Sequence, residues 1–302
     1  MFLLSMMACH LFTPLDISCV EGMQCADDTA SMDTAGHDTA STGAPLLGMV
    51  VSVRTTGGTS VQVLDPTGAR LDTRGGFGDA AGPVDADPVS GRVVVASDTA
   101  LFWNDGDAAP QSVTVTSPPL ALDLLGGAAR FLDASTLRTV NLGATPSPTS
   151  VTVPPDEQAA SMATAVDGTA LVTTFSDAAH LYGSDGATLT ERVRGYDASI
   201  LRTRIVAWGP DDAPCLCTAV GAVYSIDALV GDEAPAPLVY ADLDMQDVSA
   251  CAWDPGDGSW LLFSPTTGFV RADATGRAVV VAAPGPNETY LHGNTRRSEA
   301  ER

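Results

Sequence analysis

The sequence has no lysine: all fifteen basic residues are arginine, set against 37 acidic ones, for a formal net charge of -22 and a pI near 4.2. Lysine's absence removes two chemistries outright, since a Walker phosphate loop and a Ser-x-x-Lys nucleophile both need its ammonium. Scarce basic charge argues against nucleic acid and anionic lipid surfaces, because binding to either depends on neutralising phosphates. Histidine is nearly as scarce. His10, His37, His180 and His292 lie far apart in the chain, so no histidine metal site or acid–base pair can be assembled from spacing alone. There is no Gly-x-Ser-x-Gly and no His-Glu-x-x-His, and no run approaches the ~20 apolar residues of a membrane-spanning helix.

The chain is 302 residues long, 45% hydrophobic and only 17% charged, enough for one sizeable core plus tails. From about residue 46 onwards the pattern is short, alternating runs rich in Val, Thr and Leu, parted by Gly, Asp, Pro and Ser. That is an all-β signal. A unit recurs in "TSVQVLDPTGA" (59–69), "TALFWNDGDA" (99–108), "STLRTVNLGA" (135–144), "AAHLYGSDGA" (178–187), "GAVYSIDAL" (221–229) and "TGFVRADATG" (267–276), each a strand running into an Asp or Asn turn. Asp65, Asp105, Asn141, Asp185, Asp227 and Asp273 anchor it at spacings of 40, 36, 44, 42 and 46 residues, the period of a four-stranded propeller blade. Asp and Asn suit these positions because their side chains accept hydrogen bonds from the turn's own N–H groups, while Gly supplies positive φ.

A second apolar strand precedes every anchor strand, and in five of the six units a third precedes that: "GPVDADP", "LALDLLGG", "SMATAVDG", "RIVAWGPDD" and "VSACAWDPGDG". The first unit lacks its own, and "TYLHGN" (289–294) is expected to supply it, closing the ring by pairing the two ends of the chain. The expected fold is an all-β, six-bladed β-propeller over 46–294. Seven blades with one degenerate, or a pair of sandwiches, are the alternatives. The blade strings, above all "VSACAWDPGDGSWLLFSPTTGFVRADATGR", resemble bacterial WD40-like and YVTN-like propellers, although no Trp-Asp dipeptide ends the blades. The resemblance implies a fold and leaves the function open.

The N-terminal segment 1–25 starts "MFLLSMMACHLF", an apolar run reaching Ala8-Cys9 that resembles the end of a bacterial lipoprotein signal, though without a basic residue at its start. The expectation is export, with Cys9 lipidated as the only membrane attachment. Cys19 and Cys25 suit a small disulfide loop in an exported protein. With Cys9 lipidated the count is odd, so one thiol among Cys215, Cys217 and Cys251 should stay free. Residues 26–45, with "D-T-A" repeated every five residues, carry almost no apolar bulk and are expected to be a disordered acidic spacer. Residues 295–302 form a polar tail.

For chemistry the sequence offers little. "GGFGDAAG" satisfies Gly-x-Gly-x-x-Ala at Gly76, Gly78 and Ala81, but it falls between two β units with no helix to receive a pyrophosphate, so an inter-blade loop is expected. No cofactor is expected; if calcium binds, the acidic loops place it at Asp85, Asp87, Asp254 and Asp257. The lactonase-type propellers, which hold a metal at the channel mouth, are matched poorly, because Glu157, Glu191 and Glu233 fall between the expected blades. The inner strands read as Ala, Val, Met, Ser, Cys and Trp, a bland channel lining. Trp208 and Trp253 occupy equivalent places and are expected to pack between blades. The leading expectation is an exported, membrane-tethered binding or scaffold module for a protein or carbohydrate ligand. The alternative is a secreted propeller enzyme, a metal-dependent hydrolase or lactonase or a lyase, with carboxylates at the channel mouth.

Overall fold

A computed structural model describes residues 48–87, 90–106, 108–125, 127–143, 148–165, 167–175, 179–196, 205–229 and 236–296. Six four-stranded antiparallel sheets follow one another as the blades of a propeller. Blade 1 contains β1 (Gly48–Thr55), β2 (Gly58–Leu64) and β3 (Arg70–Arg74). Blade 2 is β4 (Val84–Ala86), β5 (Arg92–Ala96), β6 (Ala100–Asp105) and β7 (Gln111–Thr114). Blade 3 is β8 (Ala121–Leu125), β9 (Ala128–Leu132), β10 (Thr136–Asn141) and β11 (Pro148–Thr152). Blade 4 is β12 (Gln158–Thr164), β13 (Ala170–Phe175), β14 (Ala179–Ser184) and β15 (Leu189–Tyr196). Blade 5 is β16 (Ile205–Trp208), β17 (Pro214–Cys217), β18 (Ala222–Ser225) and β19 (Val239–Tyr240), and blade 6 is β20 (Ala250–Asp254), β21 (Ser259–Ser264), β22 (Gly268–Asp273) and β23 (Ala278–Ala282).

The last strand, β24 (Thr289–Arg296), becomes the innermost strand of blade 1, pairing Val51 with Gly293 and Val50 with Asn294. The expected closing strand is therefore present. It reaches two residues past the expected boundary at 294. The repeat anchors fall at the ends of the third strands, where Asp65, Asp185 and Asp273 each accept N–H groups from their own turns. Asp227 is the exception and lies in a short helix, α1 (Ile226–Leu229).

Apolar packing runs in six clusters, one at each junction between blades. Alternation within a strand distributes side chains to both junctions. In β5, Val93 and Val95 face blade 1, whereas Val94 and Ala96 face blade 3. Second strands are thus buried on both sides, which is why "RVVVA" and "SWLLFS" read as unbroken apolar runs. Trp208 and Trp253 pack in the junctions before their own blades, as their equivalent positions imply. The Gly76–Ala81 stretch links blades 1 and 2. It buries Phe77 in their shared core, and Gly78 O accepts the N–H of Thr59.

The arginines hold blades together. Arg74 of blade 1 donates to Gly106 O of blade 2, Arg92 of blade 2 to Gly127 O of blade 3, Arg130 of blade 3 to Gly168 O of blade 4, and Arg271 of blade 6 to Pro66 O of blade 1. A planar guanidinium can clasp a neighbouring carbonyl while still binding a carboxylate of its own blade, as Arg92 does with Asp105. At the remaining two junctions other devices take over. Arg192 of blade 4 lies 5.9 Å from the Trp208 ring of blade 5, and the Cys217–Cys251 disulfide ties blade 5 to blade 6. Turn glycines complete the fit: Gly68, at φ 87°, lies so close to Val281 O of blade 6 that a Cβ would collide with it.

Candidate functional site

A cavity of about 200 Å³ opens between blades 1 and 2, on the ring face that carries the β2–β3 and β4–β5 turns. Its walls come from Met49, Val50, Val63, Leu71, Ala86 and Val93, and three carboxylates, Asp72, Asp85 and Asp87, also line it. No Lys or Arg is among its lining residues. Leu71 stays 67% exposed, an unusual position for a large aliphatic side chain, and it forms part of the mouth.

The carboxylates are held by backbone groups, a hydroxyl and a guanidinium. Asp85 is buried, with Oδ1 accepting the N–H of Ala86 at 2.8 Å and Oδ2 the N–H of Leu124 in blade 3 at 2.6 Å. Asp87 accepts the Ser90 hydroxyl at 2.6 Å. Asp72 pairs with Arg74 at 2.5 Å, which orients it along the outer strand.

The inner strands are more polar than the sequence suggests. Asp123 in β8 occupies the place of Asp85 in β4, and its Oδ2 accepts the N–H of Thr164 in blade 4 at 2.8 Å. Asn294, on the closing strand, donates to Leu122 O at 3.1 Å and to Asp123 Oδ1 at 3.3 Å. The expected bland channel lining is therefore corrected for blades 1 to 3. The aspartates were in plain view in "PVDAD" and "LALDLL", but a carboxylate in a strand that feeds a neighbour's backbone looks no different in sequence from a turn former.

Of the residues singled out for calcium, Asp85 and Asp87 line the cavity, while Asp254 and Asp257 lie on the β20–β21 turn of blade 6. The Arg271 guanidinium contacts both Asp254, at 3.1 Å, and Asp257. Asp254 Oδ1 further accepts the N–H of Gly256, and Asp257 takes the Ser259 hydroxyl. The two pairs are not brought together. Among the described residues no group of three or more His, Cys, Asp or Glu is arranged to hold a metal ion. Cys9, Cys19 and Cys25 lie outside the described residues.

A second polar cluster is not apparent from the sequence. Glu191, expected between blades, is in fact in the outer strand β15, and it meets His180 Nδ1 at 3.1 Å. Glu157, just before β12, stands 4.0 Å from His180 Nε2 and accepts the Tyr182 hydroxyl at 2.8 Å and that of Thr174. Residues 11 apart converge because the third and outer strands pair directly, and Glu157, 23 residues before His180, reaches them across the end of the second strand, where it meets Thr174. His180 is thereby a satisfied, buried histidine that ties blade 4 together. Among the described residues the free thiol is Cys215: it is buried, and burial together with the nearby Asp227 charge pushes it up to about 11.

No protein-family model matches the sequence, and no curated protein matches it. Solved structures do. A chain of a nidogen/laminin complex is similar with a TM-score of 0.61 at 13% identity, over 82% of this chain and 98% of that one. A Bacteroides caccae protein of unknown function gives 0.55 at 11% identity, over 83% and 99%, and apo AztD from Citrobacter koseri gives 0.51 at 10%, over 84% and 98%. Similarity at this level of identity extends along nearly the whole of each of these chains, and it shows that this chain shares their propeller fold.

Proposed function

We propose that this protein is an exported propeller that works as a non-enzymatic binding module, held to a membrane by a lipid on Cys9, with its ligand in the cavity between blades 1 and 2. The observation that carries the binding role is the cavity itself: aliphatic walls and a few polar groups that are already fixed in place, the usual composition of a recognition site. The rival enzymatic reading draws on Asp85, Asp123 and Asn294. Their hydrogen bonds run to backbone groups of neighbouring blades and to one another, a structural use that leaves the binding reading the better supported. Export is supported by Cys217–Cys251, since disulfides persist in oxidising compartments. One of the similar structures is of a nidogen/laminin complex, so this architecture does occur in a protein assembly.

Two measurements test this reading. Mass spectrometry of the mature N-terminus from the native host should find diacylglyceryl-modified Cys9; an intact Met1 in a cytoplasmic fraction refutes export. A photo-crosslinking amino acid at Leu71, in the cavity mouth, should trap a specific partner in that host, while the same group at Val113 on the outer strand of blade 2 should not. Identical products from both positions would remove the cavity from the argument.

A further inference from the structure

We propose that the cavity between blades 1 and 2 receives the side chain of a lysine presented by a partner polypeptide. This deepens the binding reading above and rests on it. Two features select the ligand. The walls are aliphatic, so they suit a flexible methylene stem and gain from covering Leu71, whose exposure in the free protein leaves apolar surface in water. Three carboxylates and no basic side chain line the space, so the tip of that stem should be cationic.

Between the two cationic side chains, ammonium fits better than guanidinium. Asp85 already spends one oxygen on the N–H of Ala86 and the other on that of Leu124, and Asp72 faces Arg74. A fork-to-fork pairing, which is what arginine does best, needs both oxygens of one carboxylate, and those of Asp85 each already accept an N–H, whereas an ammonium needs only one oxygen at a time. A polypeptide source is favoured over a free amine because the protein's net charge of -22 acts at long range on a basic macromolecule, speeding encounter. The partner is not a second copy of this chain, which contains no lysine to offer.

The test is calorimetric titration of the full-length protein with the peptide Ac-Ala-Leu-Lys-Leu-Ala-amide, its norleucine and glutamate counterparts, and n-butylammonium. The lysine peptide should bind, about tenfold or more tightly than the norleucine peptide, and weaken as salt rises. Asp87→Asn should weaken it roughly two- to fivefold, the scale of one partly exposed charge pair, and Leu71→Ser should weaken both the lysine and norleucine peptides. Unchanged thermal melting of each variant would show that it is folded. Norleucine or glutamate peptides binding as tightly as lysine would overturn the cationic ligand while leaving a binding cavity. Butylammonium binding as tightly as the peptide would overturn the polypeptide source, and silence in every arm would sink this inference and the cavity's binding role together.

Discussion

Asp85 Oδ2 accepts the backbone N–H of Leu124 at 2.6 Å, joining the innermost strand of blade 2 to that of blade 3. One blade further on, Asp123 repeats the bond to Thr164. An innermost strand has one side on the channel, where no further strand exists to pair its N–H groups, and a carboxylate from the preceding blade satisfies one of them. Hydrogen bonds to a charged group contribute about 1.5–3 kcal/mol when buried. Asp123→Ala should therefore lower the unfolding free energy by about 1–3 kcal/mol, with Asp85→Ala costing at least as much because Asp85 is the more buried. Urea denaturation measures both, and a loss below about 0.5 kcal/mol for Asp85→Ala would show that water replaces the carboxylate freely.

The disulfide between Cys217 and Cys251 closes a segment with a sequence separation of 34 across the junction of blades 5 and 6. Loop-closure entropy for that length stabilises the fold by about 3–4 kcal/mol. The double variant Cys217→Ala, Cys251→Ala should lose about that much, and reductant should destabilise the wild-type protein but not the variant. Cys215, pushed up to about 11 by burial, stays a thiol at neutral pH. Iodoacetamide should leave it unmodified in the native protein and label it once the chain is unfolded, as intact-mass analysis would show.

How far the sequence leads is clearest from comparing strands. The first three strands of each blade are legible: second strands as unbroken apolar runs, third strands through their Asp turns, and the closing strand through the gap left in the first unit. The outer strands, such as "RLDTR" and "PTSVT", were not legible, because they face solvent and carry neither periodic apolar residues nor a turn signal of their own. The cavity was legible only in part. Asp85 and Asp87 stand out as an acidic loop, yet Met49, Val63 and Leu71 join them solely through the packing of blade 1 against blade 2. Likewise, the expectation of one free thiol among three supposed a lipid on Cys9, and only the place of Cys217 opposite Cys251, where β17 approaches β20, leaves Cys215 as the thiol.

Acid should loosen the ring at its closing strand first. Burial pulls the His292 imidazole below its ordinary value, against a weaker opposing hydrogen bond with the Ala81 backbone. A depressed base favours the folded state only while neutral, so its contribution is complete above the unfolded value near 6.5 and is lost as pH falls through the lower folded value. A second loss follows below about pH 4. Asp133 is held low despite burial, by the N–H groups of Ser135 and Thr136 and the Thr136 hydroxyl, and Asp273 by the hydroxyl and N–H of Thr275. Each contribution is present above the unfolded carboxylate value and disappears as the folded one is crossed. His292→Gln should flatten the stability profile between about pH 6.5 and 4 without altering the drop below it; a profile unchanged by the substitution would show that the imidazole takes no part.

Calcium provides the last comparison, between the two acidic pairs. At Asp254 and Asp257 the cation's place is already filled by Arg271, which also reaches Pro66 O in blade 1 and so is anchored on both sides of the junction. A divalent ion would have to displace a guanidinium attached to two carboxylates, the Ser259 hydroxyl and Pro66 O, and the gain would be offset by the lost blade-to-blade contact. Any effect of calcium or a chelator on the melting temperature should therefore be the same, within about 1 °C, in the wild-type protein and in Asp254→Asn, as ligand linkage requires when affinity at this turn is negligible. In Arg271→Gln the two carboxylates face each other without their cation, so the protein should be less stable, and calcium should now raise its melting temperature in a concentration-dependent way. A calcium-dependent rise in the wild-type protein that Asp254→Asn abolishes would place the ion at this turn after all.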